Sequence, residues 1–229
     1  MALENYIAAL VATGGCIAVI FGAFLAASEQ VSWWKSMVKT LSTAALALAA
    51  ALYASGGGTG PTLIALGLGL GALGDFLLSR NGDRAFLGGM AAFALGHLAY
   101  VAALWPLMQV TGATAGQWVI GAGLVMLVAS TELWLAPHTG ALRWPVRGYG
   151  IVIGAMGLTA LFLGPVEGRE TLWLGAALFI LSDLMLALRL FVVKDTGKAR
   201  ALSYALWPAY WGGQFLILIA AFSIWPRVG

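Results

Sequence analysis

The chain has 229 residues, 61% hydrophobic and only 9% charged, with a net charge of +3 and a mean hydropathy of +0.92. Soluble domains carry roughly 25% charged residues, so there is too little polar surface here to coat a water-soluble fold. The basic residues are dispersed and form no aromatic-interleaved patch, which argues against nucleic acid as a partner. A single cysteine, Cys16, excludes an internal disulfide and a multi-cysteine metal site. Its apolar surroundings suit a packed or lipid-facing thiol.

A bilayer core takes about 20 apolar residues per helix. Eight segments qualify in chain order: 6–27, 33–53, 61–79, 85–105, 117–136, 145–164, 171–191 and 202–225. No Lys or Arg precedes the first, so it reads as a retained span rather than a signal peptide. The breaks carry loop chemistry, as in Gly56-Gly57-Gly58-Thr59-Gly60-Pro61, Asn81-Gly82-Asp83, Pro137-His138-Thr139-Gly140 and Lys194-Asp195-Thr196-Gly197. The boundary around Pro106 to Gly116 is the least sharp. The runs do not alternate apolar and polar residues, which argues against a β-barrel. The expectation is an all-α, polytopic transmembrane helical bundle of about eight spans, forming one integral membrane domain over 1–229.

Lysines and arginines fall unevenly among the connections. Ten (Lys35, Lys39, Arg80, Arg84, Arg143, Arg147, Arg189, Lys194, Lys198, Arg200) belong to connections 1–2, 3–4, 5–6 and 7–8 or the adjoining helix ends; Arg169 and Arg227 lie on the other side. The positive-inside rule then predicts both termini outside the cytoplasm. Trp33, Trp34, Trp105, Trp144, Trp173 and Trp225 fall near span ends, where interfacial aromatic anchors belong. A bacterial inner membrane is the expected location, since no eukaryotic sorting signal is visible.

Leu73-Gly74-Asp75-Phe76-Leu77-Leu78-Ser79-Arg80 resembles Leu181-Ser182-Asp183-Leu184-Met185-Leu186-Ala187-Leu188-Arg189. These stretches end the third and seventh spans, which run in the same direction. That suggests two parallel four-helix halves, 1–110 and 111–229. An acidic side chain inside a span costs roughly 2.5–3.5 kcal/mol on insertion scales, so such residues usually face the bundle interior. Asp75 lies about five residues from its helix end, roughly 7–8 Å in, and Asp183 at a similar depth.

Polar and small residues share faces with these aspartates. Gly67, Gly71 and Asp75 repeat at every fourth residue, as do Gly175, Phe179 and Asp183. Gly89, Phe93, His97 and Tyr100 line one face of the fourth span. Trp207, Tyr210 and Gln214 do so on the eighth, and Lys35, Lys39, Ser42 and Thr43 form a stripe on the second. With Tyr149 on the sixth span pointing inward, six spans contribute to a cavity. Plainer roles fit the same residues. Asp75 and Asp183 suit ion pairs with Arg80, Arg84, Lys39 or Arg189; His97 and the tyrosines suit packing; Glu132 suits a salt bridge to Arg143 or Arg147.

With only His97 and His138, and no HExxH, a three-ligand zinc hydrolase has no basis. No GxSxG elbow supports a serine lipase. A carboxylate pair remains. Two carboxylates in a poorly solvated site share one proton and supply an acid and a base without a metal.

Gly74-Asp75-xx-Leu78, Phe86-xx-Gly89-xxx-Phe93-xxx-His97-xx-Tyr100, Ser182-Asp183 and Tyr210-xxx-Gln214 together resemble the YhhN family of lysoplasmalogenases, over residues 35 to 214. The resemblance implies an integral membrane hydrolase that cleaves the vinyl ether bond of lysoplasmalogen. The products would be a fatty aldehyde and glycerophosphoethanolamine or glycerophosphocholine. It implies Asp75 and Asp183 as the acidic centre, with Lys39, His97, Tyr100, Tyr210 and Gln214 around it and Tyr149 added from the face argument. The expected partners are a lysophospholipid substrate and membrane lipids; no cofactor and no metal are expected. The family often has proline after its second-span lysine, whereas Thr40 follows Lys39 here, so Lys35 and Lys39 both stand as counterparts. Protonation of the vinyl ether would give an oxocarbenium ion, the kind of ion that paired carboxylates handle in glycosidases. Lys39 would meet the phosphate as a point charge. A transporter or proton-coupled carrier of a small amphiphile, or a lipid-binding scaffold, would use the same polar face differently.

Overall fold

The computed structural model describes residues 2–28 and 32–227. Among them are eight long α-helices: α1 (Ala2–Phe24), α2 (Trp33–Ala54), α3 (Thr59–Leu78), α4 (Asp83–Leu104), α5 (Ala115–Trp134), α6 (Arg143–Leu161), α7 (Arg169–Ala187) and α8 (Thr196–Ile224). There is no strand among the described residues, only one isolated bridge between Met108 and Leu163. All eight expected spans are helical, and seven helices are long and apolar enough to cross a membrane. The exception is α6, whose first turns hold Arg143, Pro145, Arg147, Gly148, Tyr149 and Gly150. It packs against α4, α5 and α7.

Helix ends follow local chemistry. Ser32 caps α2 by accepting the Lys35 amide at 3.1 Å, and Thr114 and Gln117 form a reciprocal capping box on α5. Asp195 accepts the Lys198 amide at 2.7 Å, so α8 begins at Thr196 rather than at the expected 202. Gly82, with φ at 102°, makes the turn from α3 into α4, a conformation that side-chain-bearing residues rarely adopt. At the far end of α2, Arg227 donates to the Tyr53 carbonyl (Nε, 2.9 Å), a cation on the last turn where the helix dipole favours one.

Helices α1 to α4 pack in sequence order and α7 pairs with α8, while α8 returns across α2, α1 and α3. Helix α6 bridges α4 and α7, and α5 joins the bundle mainly through α6. Lipid tails are as apolar as leucine, so close packing must hold such helices together. Gly175 and Gly213 supply it between α7 and α8. A Cβ on Gly175 would stand 3.1 Å from the Gly213 carbonyl, and one on Gly213 2.9 Å from the Gly175 carbonyl. Gly67 likewise leaves room for the Tyr100 ring, and Gly74 for Phe93.

Four of the six anchor tryptophans (Trp33, Trp34, Trp105 and Trp144) are exposed at helix ends. The other two are packed inward: Trp173 donates to the Ala160 carbonyl at 2.8 Å, and Trp225 covers Gly60. Cys16 is exposed on the face of α1.

Candidate active site

The buried polar network is centred on Asp75, whose side chain is 1% exposed. The Lys39 ammonium lies 2.9 Å from Oδ1. Thr43 donates to Oδ2 at 2.7 Å, and Tyr210 donates to the same oxygen at 2.8 Å. Lys39 and Thr43 are one turn apart on α2, so both reach the same carboxylate on α3. Lys39 also lies 6.0 Å from the Trp207 ring and 5.9 Å from the Tyr210 ring, a cation held between aromatic faces.

Behind Tyr210 the chain of contacts continues inward. Gln214 Nε2 donates to the Tyr210 oxygen at 3.4 Å, and Tyr100 donates to Gln214 Oε1 at 2.7 Å. Gly71 makes this possible, since a Cβ there would stand 2.6 Å from Gln214 Nε2. The Gly67-Gly71-Asp75 face thus gives room to two side chains before presenting the carboxylate.

Asp183 has a different environment. Its Oδ2 accepts from Tyr149 at 2.5 Å, and among the described residues no cation pairs with it. Tyr149 comes from α6, the helix that bridges α4 and α7.

Asp75, Asp183, Lys35, Lys39, Arg189 and Tyr210 line a cavity of about 180 Å³. A second, half-open and almost wholly apolar cavity lies between α4, α5, α6 and α7, with Tyr149 and Asp183 on its wall. Asp183 borders both.

The remaining expected site residues sit elsewhere. Tyr100 and Gln214 are buried behind Tyr210, and neither lines either of these two cavities. His97 is 1% exposed, and neither of its ring nitrogens has a hydrogen-bond partner among the described residues. Its ring meets Phe179 edge-on at 4.7 Å and Tyr149 at 5.7 Å, the packing role. Lys35 donates to the Ser28 carbonyl, so Lys39 is the lysine at the carboxylate. Glu132 forms a two-point pair with Arg147, at 2.6 and 2.5 Å, away from the site. His138 is held on the Trp134 carbonyl at 2.9 Å.

Sequence reasoning placed Thr43 on the polar stripe of α2 without assigning it to the site; its position one turn after Lys39 was the available signal. Arg189 was expected as an orientation charge or an ion-pair partner of the aspartates; it lines the polar cavity with Asp75 and Asp183 and pairs with no carboxylate among the described residues.

The network unites α2, α3, α4 and α8 through residues of the Gly-Asp, Phe-Gly-Phe-His-Tyr and Tyr-Gln motifs. The sequence model of the YhhN family matches residues 34–221, a stretch containing every residue just described except Ser28. The chain belongs to the YhhN family. Similar proteins include the lysoplasmalogenase of Mycobacterium tuberculosis, 34% identical over 160 residues, which cover 67% of this chain and 58% of that protein. The Bos taurus lysoplasmalogenase TMEM86A is 33% identical over 208 residues, covering 85% of this chain and 80% of its own. Human lysoplasmalogenase TMEM86B is 32% identical over 202 residues, covering 84% and 77%. The chain thus matches a little over half the length of the mycobacterial relative. No solved structure matches it.

Proposed function

We propose that this YhhN protein is a lysoplasmalogenase, hydrolysing the vinyl ether of a lysoplasmalogen to a fatty aldehyde and a glycerophosphoethanolamine or glycerophosphocholine. The observation carrying this reading is that Asp183 borders a polar cavity on one side and an apolar one on the other. A lysoplasmalogen has that division, with its vinyl ether at the junction of headgroup and chain. The names borne by relatives at 32–34% identity support the same reaction.

The two aspartates divide the work. Asp75 is committed to Lys39, Thr43 and Tyr210, the surroundings of an ionised carboxylate. It stabilises positive charge from the cavity wall. Among the described residues Asp183 accepts only the Tyr149 hydroxyl, and it faces both cavities, so it is the acid with access to the substrate carbon. Its proton passes to the β-carbon of the vinyl ether, whose π electrons form the new C–H bond while the ether oxygen stabilises the resulting cation. Water adds to the α-carbon and returns a proton to the Asp183 carboxylate. The Asp183 carboxyl then protonates the ether oxygen as the hemiacetal C–O bond breaks, and takes back the hemiacetal hydroxyl proton, releasing aldehyde and the free glycerol hydroxyl. Tyr149 fixes the carboxyl rotamer.

The ten-to-two distribution of basic residues supports both termini outside the cytoplasm. Purified protein in detergent, given lysoplasmalogen, should release aldehyde with no gradient; a carrier would not. Asp183→Asn and Asp75→Asn should each abolish that release. Full activity in both variants would remove the aspartates from the mechanism, and silence of the unaltered protein would remove the hydrolase.

A further inference from the structure

Three cations line the polar cavity, and two are already engaged. Lys39 is held by Asp75 at 2.9 Å, and Lys35 donates to the Ser28 carbonyl. Arg189 has neither an ion pair nor a hydrogen bond with any described residue, and its Nε is buried without a partner. A guanidinium held this way in a partly enclosed site calls for an anion, and its planar fork matches a phosphate. Arg189 lies on a π-helical turn, Leu188–Val192, which extends α7. Such turns recur at functional sites. It stands six residues beyond Asp183, about 9 Å along the helix axis. A glycerol backbone and ether oxygen span a gap of that order between phosphate and vinyl ether.

On the opposite side of Asp183 the apolar cavity runs along α6 from Val146 to Gly154, about 12 Å. One leaflet of the hydrocarbon core is about 15 Å deep, so the cavity is comparable in length to a lipid chain. Gly150 lies on its wall, and a Cβ there would meet no atom within 4 Å.

Building on the hydrolase reading, we propose that the lysolipid lies across Asp183, with its phosphodiester on Arg189 and its alkenyl chain in the apolar cavity alongside Gly150. Phosphate recognition thereby moves from Lys39, which Asp75 occupies, to Arg189.

The test compares kcat/KM for three substrates: a long-chain alkenyl lysophospholipid, its short-chain analogue, and a phosphate-free alkenylglycerol. In Arg189→Gln the preference for the phosphate-bearing substrate should fall about tenfold or more, mostly through KM, as a charge-assisted contact is lost. Arg189→Lys, which keeps the charge without the fork, should fall between Arg189→Gln and the unaltered protein. In Gly150→Leu the long-to-short preference should fall about tenfold or more, the scale on which pocket methylenes discriminate. Equal losses on phosphate-bearing and phosphate-free substrates would show that Arg189 acts structurally or on bilayer lipid, and would overturn the headgroup placement. An unchanged chain-length ratio in Gly150→Leu would overturn the chain placement. If the unaltered protein releases no aldehyde from any of the three, the hydrolase reading itself has failed, a result distinct from either of these.

Discussion

Replacing Lys39 by methionine tests whether the Asp75 network is held by charge. The change keeps most of the side chain's length and removes the ammonium 2.9 Å from Oδ1. Asp75 is left 1% exposed with only the Thr43 and Tyr210 hydroxyls as donors. Breaking a buried pair by removing one partner costs about 3–5 kcal/mol. The two remaining hydroxyl donors hold the loss near the lower end, about 3 kcal/mol. Asp75→Asn should cost less, about 1–2 kcal/mol, because the Lys39 side chain is 20% exposed and can turn toward the cavity. The double variant should be more stable than the sum of the singles by at least about 1 kcal/mol, as groups in direct contact couple. Thermal and SDS-driven unfolding in detergent micelles measure all three. Additive losses, or Lys39→Met no worse than Asp75→Asn, would refute the argument that the ion pair keeps the carboxylate in the bundle.

Two further outcomes follow from packing and hydrogen bonding. Gly71→Ala would place a methyl 2.6 Å from Gln214 Nε2 and should lower stability by about 1–3 kcal/mol through overpacking; Gly69→Ala, with nothing within 4 Å, should leave the melting temperature unchanged or slightly higher. Equal shifts in these two variants would show that α3 has no tight contact at Gly71. Tyr149→Phe removes the hydroxyl 2.5 Å from Asp183 and should lower kcat for aldehyde release about tenfold, with KM little changed, because it disturbs the orientation of the acid rather than binding; an unaltered kcat would show that Tyr149 does not orient the acid.

Much of this protein is legible along the chain. Apolar runs near 20 residues, separated by glycine, proline and capping residues, dictate helices on either side of short turns, because a backbone in lipid must satisfy its own hydrogen bonds. The four-residue spacing of Gly67, Gly71 and Asp75 marks a contact face before any contact is known. Lys39 and Thr43 lie on one stripe for the same reason. Helix boundaries were less legible where capping chemistry extended a helix past its apolar run, as Asp195 does for α8.

Periodicity shows which residues share a face but not what they meet. The stripe on α2 offered two lysines, and only packing against α3 and α8 decided that Lys39 reaches Asp75 while Lys35 turns to a carbonyl. His97 shares a face with Tyr100, yet the aromatic rings of α6 and α7 surround it away from both cavities. The two aspartates look alike in sequence, but α2 and α8 give one a cation and two hydroxyls, and α6 gives the other a single tyrosine. Composition and spacing therefore determined an all-α membrane protein with acidic residues inside it. Tertiary structure alone decided their different surroundings, because a carboxylate's partners come from helices distant in sequence whose rotation and depth no local pattern encodes.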